Sequence, residues 1–418
     1  MKHVFRNLGW LLGSRGINAV LSLVYIGLAT RSLGVAGYGQ FAMVVVLAQG
    51  VAGIASFNTW QAVVKWGHEE GRAGEVTGFA FALDLISIAG GLILAALACS
   101  TAAAWLPIPS GSGYLTFALC AAALMSVRST PTGVLRLHDR YDLSTAAEAT
   151  LPVTRALGAV AAWLFAPTLA GFVAAWAAAE LICATIHWLV AARFIDLRLA
   201  DISLRRFPKR AVRVWPFVFA TSASRTSAVA SKQVLLLGVG AFGGSALAGG
   251  YRVASQLGQA LAQLGEAVSR AIYPDLVKRT SAANGVARRM MILAFGTGVV
   301  AALISSLAGR QAIALLAGHE FVFAYAALVL LSFAGALDLA GASWDALLVA
   351  RHRAGAALTV RTVPLVAALP AMPWALSRFG LAGVAGCVLI ASAVTFGGLA
   401  YLVLANRAND EASNSSIA

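Results

Sequence analysis

Apolar positions in this chain come in long runs, not in alternation and not along one helical face. Twelve such runs occur, at 9–31, 39–64, 76–105, 114–135, 145–166, 169–192, 212–240, 247–272, 289–308, 321–349, 356–377 and 381–405. A helix rises 1.5 Å per residue and needs about 20 residues to cross the hydrocarbon layer of a bilayer. Every run is long enough, so the pattern predicts about twelve transmembrane helices. The segments between them are short and rich in glycine and proline, as in Leu33-Gly34-Val35-Ala36-Gly37 and Phe242-Gly243-Gly244-Ser245. Such residues let a chain reverse tightly. The longest internal connection, about 193–211, is strongly basic and reads as the joint between two halves.

Composition turns that pattern into a class. Hydrophobic residues make up 60% and charged residues 11% of the chain, with mean hydropathy +0.80. A soluble domain carries about 25% charged residues. The fold class is therefore an all-α polytopic membrane protein. A cleavable leader is not expected, because the first run contains Arg15 and continues without a small-residue cleavage site. The four cysteines, Cys99, Cys120, Cys183 and Cys387, have no paired spacing and read as free thiols packing as small hydrophobes. The six histidines show no metal-ligand spacing among themselves. No glycine loop of the nucleotide-binding kind is present, so no cofactor is expected.

The chain also repeats itself. Sliding it by 210 positions lays Ser14–Ala52 on Ser224–Ala262 without a gap, and nine of 39 positions match. Among the matches are Ser14/Ser224, Arg15/Arg225, Gly34/Gly244 and Gly39/Gly249. Each copy reads as an apolar helix holding an arginine, a glycine-rich turn and a second apolar helix. A repeat of half the chain length built from membrane helices is the mark of a two-halved transporter. The expected division is 1–207 and 208–405, two six-helix bundles, followed by a disordered cytoplasmic tail at 406–418.

Net charge is +14. Its placement speaks of topology and anionic lipid, not of nucleic acid. With the first residues inside, internal segments hold 20 of the 31 Lys and Arg, whereas external turns hold Arg31, Arg310 and Arg378. That bias places both termini in the cytoplasm. An even helix count then gives both halves the same orientation, a parallel repeat about an axis along the membrane normal.

Eight basic residues remain inside the runs: Arg15, Arg128, Arg155, Arg225, Lys232, Arg252, Arg270 and Arg361. Six acids join them: Asp84, Glu148, Glu180, Glu266, Asp338 and Asp345. A central arginine or lysine costs about 2.5–3.5 kcal/mol even on a lenient insertion scale. These groups must pair, snorkel or line a wet cavity. Glu266 and Arg270 have ion-pair spacing. Glu148 and Arg155 lie seven apart on one face, although Arg155 can equally serve a neighbouring helix. Arg128 and Arg361 sit near internal ends, within snorkelling reach. Arg15, Arg225, Lys232 and Arg252 are expected to line a central cationic cavity for an anionic substrate. Guanidinium groups suit phosphate oxygens in particular. Asp84, Glu180, Asp338 and Asp345 are candidates for proton or cation coupling, or else partners for interior arginines. Pro131, Pro152, Pro216, Pro364, Pro370 and Pro373 are expected to kink helices, as hinges or passively. Trp10, Trp66, Trp105, Trp188 and Trp215 fit an interfacial belt.

Three stretches carry a family resemblance: "RSLGVAGYGQF" at Arg31–Phe41, "PTGVLRLHDRYD" at Pro131–Asp142 and "GGYRVA" at Gly249–Ala254. In order and position the chain resembles the Wzx-type polysaccharide flippases of the multidrug/oligosaccharidyl-lipid/polysaccharide (MOP) exporter superfamily. The resemblance covers nearly the whole chain. It implies a multi-pass protein of the bacterial inner membrane, not an enzyme, which moves a polyprenyl-diphosphate-linked oligosaccharide across the bilayer by alternating access. The implied partners are that lipid-linked substrate, the bilayer, a polysaccharide polymerase and glycosyltransferases, with no nucleic acid. Lys232 stands where many members carry an acid, which makes the expected cavity more positive. A multidrug antiporter of the same fold is the first alternative, yet an arginine-rich cavity repels cationic drugs. Flippases of peptidoglycan precursors resemble fourteen-helix chains. A membrane polymerase would need a large external loop with catalytic acids, and the external turns here are short and nearly acid-free.

Overall fold

The computed structural model describes residues 2–415 apart from 70, 110, 196–197, 199–200, 279–282 and 351–352. Side chains of 2–19, 264–288 and 405–415, with a few others including Lys232, lie outside the description. The expected Glu266–Arg270 pair falls there.

Thirteen α-helices are described: α1 Lys2–Ala55, α2 Trp60–Gly67, α3 Ala73–Trp105, α4 Gly113–Met125, α5 Ser129–Leu137, α6 Tyr141–Phe165, α7 Leu169–Ala191, α8 Arg206–Arg210, α9 Val214–Lys278, α10 Ala283–Leu316, α11 Tyr325–Ala350, α12 Ala354–Ala368 and α13 Met372–Ser415. A 3₁₀ turn, His319–Ala324, precedes α11. Each of the twelve apolar runs falls largely on helical backbone. Among the described residues, eight helical stretches are long and apolar enough to cross a membrane. The protein is an all-α polytopic membrane protein. Helix α13 continues to Ser415, into the segment expected to be a disordered tail.

Three long helices are pairs joined at a glycine. The backbone at Gly34 has φ 66° and ψ −177°, and at Gly244 φ 80° and ψ 178°. These are repeat partners, and they share one conformation that is essentially restricted to glycine. Gly380 in α13 turns similarly, with φ 58° and ψ −142°. Gly39, five residues past the first turn, meets Ser245 so closely that an added Cβ would lie 1.7 Å from its carbonyl oxygen. No side chain fits there. Gly34→Val and Gly244→Val should each destabilise the fold by about 1–3 kcal/mol, the cost of forcing a side chain into this region. A lowered thermal unfolding midpoint of the purified protein checks this.

Other expected helices are broken where the pattern suggested continuity. The run at 39–64 is interrupted at 56–59, and 114–135 at 126–128. Polar clusters sit at both breaks: Ser56, Asn58 and Thr59 at one, Ser126, Arg128, Ser129 and Thr130 at the other. Several prolines start helices instead of kinking them. Pro131, Pro216 and Pro373 lie in the first turns of α5, α9 and α13. There the missing N–H has no intrahelical partner to lose. Pro152 and Pro364 remain inside α6 and α12.

The chain packs as two compact units, residues 28–248 and residues 1–27 with 249–418. In the first, α8 seats the fully buried Phe207 against Trp66, Phe79 and Val214. Arg206 and Arg210 of the basic connection bond Glu75 of α3 at 3.1 and 2.7 Å. Trp66 is 6% exposed and Trp188 donates to the Val127 carbonyl at 3.1 Å. Both rings make packing or hydrogen-bond contacts inside this unit. In the second unit, Trp344, Leu348, Leu399 and Val403 form a core between α11 and α13.

Candidate functional site

The unit of residues 28–248 holds a polar network built on its two helix breaks. A broken helix leaves N–H groups without intrahelical acceptors, and in an apolar setting each must be satisfied by a neighbour. Here side chains supply several of those acceptors. The Asn58 N–H donates to Ser222 Oγ of α9 at 3.0 Å, and the Trp60 N–H to Ser129 Oγ at 3.0 Å. The Thr130 N–H donates to Asp84 Oδ2 at 3.3 Å, and Thr59 Oγ1 donates to Asp84 Oδ1 at 3.3 Å. Asp84 is 3% exposed. Its carboxylate therefore ties the starts of α2 and α5 together from α3, near the positive ends of both helices.

Arg225 joins this network from α9. Its Nη1 donates to Asn58 Oδ1 at 3.3 Å, while the residue as a whole is exposed. Both Asp84 and Arg225 lie eleven residues into their helices, about 16 Å along the axis at 1.5 Å per residue. Two further bonds continue between the limbs of α9 and α1: Thr226 Oγ1 to the Gly53 carbonyl at 3.2 Å, and Gln233 Nε2 to Gln49 Oε1 at 3.2 Å.

A second cluster grips the α4–α5 break from the other side. Arg128, the residue before α5, donates to Glu180 Oε2 at 3.1 Å and to Cys183 Sγ at 2.9 Å. Arg155 of α6 pairs with the other Glu180 oxygen, and its guanidinium lies 3.7 Å from the centre of the Trp176 ring. Two arginines thus share one carboxylate that is 10% exposed. Arg128 does not snorkel as its sequence position suggested; it is held inside by α7. Glu148 does not meet Arg155 either, but lies 3.5 Å from His187 Nε2. Seven residues span about 10 Å of helix, too far for the two side chains to meet.

Of the remaining expected site residues, Arg15, Arg252, Asp338 and Asp345 belong to the other unit. Asp345 pairs with Arg361 across α11 and α12 at 2.8 Å. Asp338 is exposed on α11. Arg252 directs Nε and Nη2 at the Gln256 side-chain oxygen, 3.0 and 3.1 Å away with that amide turned to accept. Arg15 lies in helical α1, and its side chain and that of Lys232 fall outside the described residues. Of the expected residues, then, Arg225, Asp84 and Glu180 come together in one unit. Sequence reasoning missed Asn58, Ser129, Thr130 and Ser222. Their signal was polar residues clustered inside apolar runs.

Comparisons with known proteins agree with this architecture. Residues 4–279, about two-thirds of the chain, match the family described as "Polysaccharide biosynthesis protein". The chain belongs to that family. It is 29% identical over 341 residues to the inner membrane protein YghQ of Escherichia coli K12, covering 77% of this chain and 94% of that protein. Among solved structures, an inward-facing multidrug resistance MATE family transporter of the MOP superfamily superposes with TM-score 0.70 at 16% identity, covering 96% of each chain. The lipid II flippase MurJ in an inward closed conformation superposes with TM-score 0.71 at 11% identity, over 94% of this chain and 87% of that one. The chain thus has the fold of the MOP superfamily's transporters and flippases, as its three family-like stretches suggested.

Proposed function

We propose that the protein translocates a polyprenyl-diphosphate-linked oligosaccharide across the bacterial inner membrane, for the building of a surface polysaccharide. Membership of the polysaccharide biosynthesis family and a MOP fold support this reading. The observation that carries it to a substrate is Arg225, an exposed guanidinium about 16 Å into its helix with one donor on Asn58. A cation at that depth is costly unless it serves something anionic. A diphosphate offers the acceptor oxygens that guanidinium binds best. Arg15, Lys232 and Arg252 are proposed to complete the cationic surface. The repeat halves, 1–207 and 208–405, would alternate access with both termini in the cytoplasm, while the lipid tail stays in the bilayer.

Asp84 is proposed as a coupling residue, because its oxygens hold two helix starts and, among the described residues, no arginine donates to them. Glu180 and Asp345 are arginine partners, the other reading open to them. Asp84→Asn keeps an acceptor for the Thr130 N–H but cannot carry charge. It should slow transport about tenfold or more at normal protein level, within the range of coupling free energies. Transport at the unmodified rate would remove Asp84 from the mechanism. The whole reading is tested by deleting the chain in its host and analysing the lipid-linked oligosaccharide pool. Accumulation on the inner leaflet is expected, with loss of the surface polymer. An unchanged pool would exclude this substrate.

A further inference from the structure

We propose that Glu148, Cys183 and His187 form a binding site for a divalent metal ion of the zinc class, set between α6 and α7. One ligand atom from each residue lies within 4.8 Å of the other two. Cys183 and His187 are four residues apart on α7, which stacks their side chains on one face. Glu148 reaches across from α6.

His187 carries the argument. Its side chain is 1% exposed, and Nδ1 lies 3.0 Å from the Cys183 carbonyl one turn back. A carbonyl can only accept, so Nδ1 bears the proton in that bond and Nε2 presents a lone pair. Nε2 is buried without a hydrogen-bond partner among the described residues, and it lies 3.5 Å from Glu148 Oε2. Two electron-rich atoms that face each other 3.5 Å apart call for a cation between them. Cys183 Sγ, 3.7 Å from the Nδ1 of the same ring, is the third donor. Arg128 Nη1 already donates to that sulfur at 2.9 Å, a partner suited to the thiolate that metal ligation requires. On binding, the Cys183 sulfur–hydrogen bond gives way to a sulfur–metal bond and the proton leaves to solvent. No electron is transferred.

The donor set chooses the ion. Sulfur, imidazole nitrogen and a carboxylate oxygen together suit zinc and its neighbours, whereas magnesium and calcium want oxygen alone. Three protein ligands leave a fourth position for water. The Glu148 side chain is 60% exposed and provides the open side through which an ion enters.

The test titrates the purified full chain in lipid nanodiscs with Co²⁺ alone, a spectroscopic stand-in for zinc. A thiolate-to-cobalt charge-transfer band is expected at one ion per chain, displaced by Zn²⁺. Cys183→Ser should abolish the band. His187→Gln and Glu148→Gln should each weaken binding at least about tenfold, the size that even outer-shell changes produce. Should Cys183→Ser fail to fold, a chain with Cys99, Cys120 and Cys387 all changed to Ser keeps Cys183 as its one thiol and must retain the band. No band in the unmodified chain would leave a proton as the cation between His187 and Glu148 and overturn the proposal. A band that survives Cys183→Ser, or vanishes from the Cys183-only chain, would overturn it too. No transport substrate enters the experiment, so its outcome is independent of the flippase reading.

Discussion

Glu180→Gln should sharply lower the amount of folded protein in the membrane. Glu180 accepts from Arg128 and Arg155 at once, and its side chain is 10% exposed. Without the charge, two guanidinium groups face each other across a neutral amide. Breaking a buried ion pair by removing one partner costs about 3–5 kcal/mol, mostly as the penalty on the charge left behind. That is a large share of a typical folding free energy of about 5–15 kcal/mol. The cluster also anchors the α4–α5 break, since Arg128 is the residue just before α5. Melting measured on detergent-solubilised protein should fall accordingly. Adding Arg155→Gln to Glu180→Gln should recover part of the loss, because residues in one network are not additive. Equal stability of Glu180→Gln and the unmodified chain would mean that the arginines find water or lipid phosphate instead.

Arg225→Glu should abolish transport while leaving protein abundance near normal. Arg225 is exposed and makes its bond to the Asn58 side chain, while Ser222 separately satisfies the Asn58 N–H. The fold therefore loses one part-buried hydrogen bond, worth about 0.5–1.5 kcal/mol. The substrate, if it is a diphosphate, would meet a carboxylate in place of its partner. Like charges placed together cost several kcal/mol, and each 1.4 kcal/mol is tenfold in affinity. Arg225→Lys keeps the charge but loses the planar fork, and should fall between the two. Surface polysaccharide in a complemented deletion strain, read beside membrane levels of the protein, separates the outcomes. Retained transport in Arg225→Glu at full abundance would dismiss the residue.

The helices were legible because hydrophobic length alone announces a membrane span. The repeat was legible for a sharper reason. Gly34 and Gly244 match in sequence and adopt the same glycine-only backbone, so a shift of 210 positions found a real structural equivalence. The breaks at 56–59 and 126–128 escaped notice because each lies within an apolar run whose length still fits a single span. Their polar residues, Asn58, Thr59, Ser129 and Thr130, were the available sign. Charge pairing was legible only in part. Spacing along one helix suggested Glu148 with Arg155, whereas the partners lie on different helices, Arg155 on Glu180 and Glu148 beside His187. Pairing across helices has no fixed separation in sequence. The Cys183–His187 spacing of four was present as well, but it mixes residue types and is invisible when histidines and cysteines are surveyed apart.

The most direct test of the account is flipping in a defined bilayer. The purified chain, reconstituted into vesicles that carry a fluorescent polyprenyl-diphosphate oligosaccharide, should bring inner-leaflet substrate within reach of an external glycan-cleaving enzyme. Vesicles with Arg225→Glu, or with no protein, should protect that inner half. If the inner half stays protected with the unmodified chain, or is exposed equally by Arg225→Glu, the protein does not carry this lipid through an arginine-lined path.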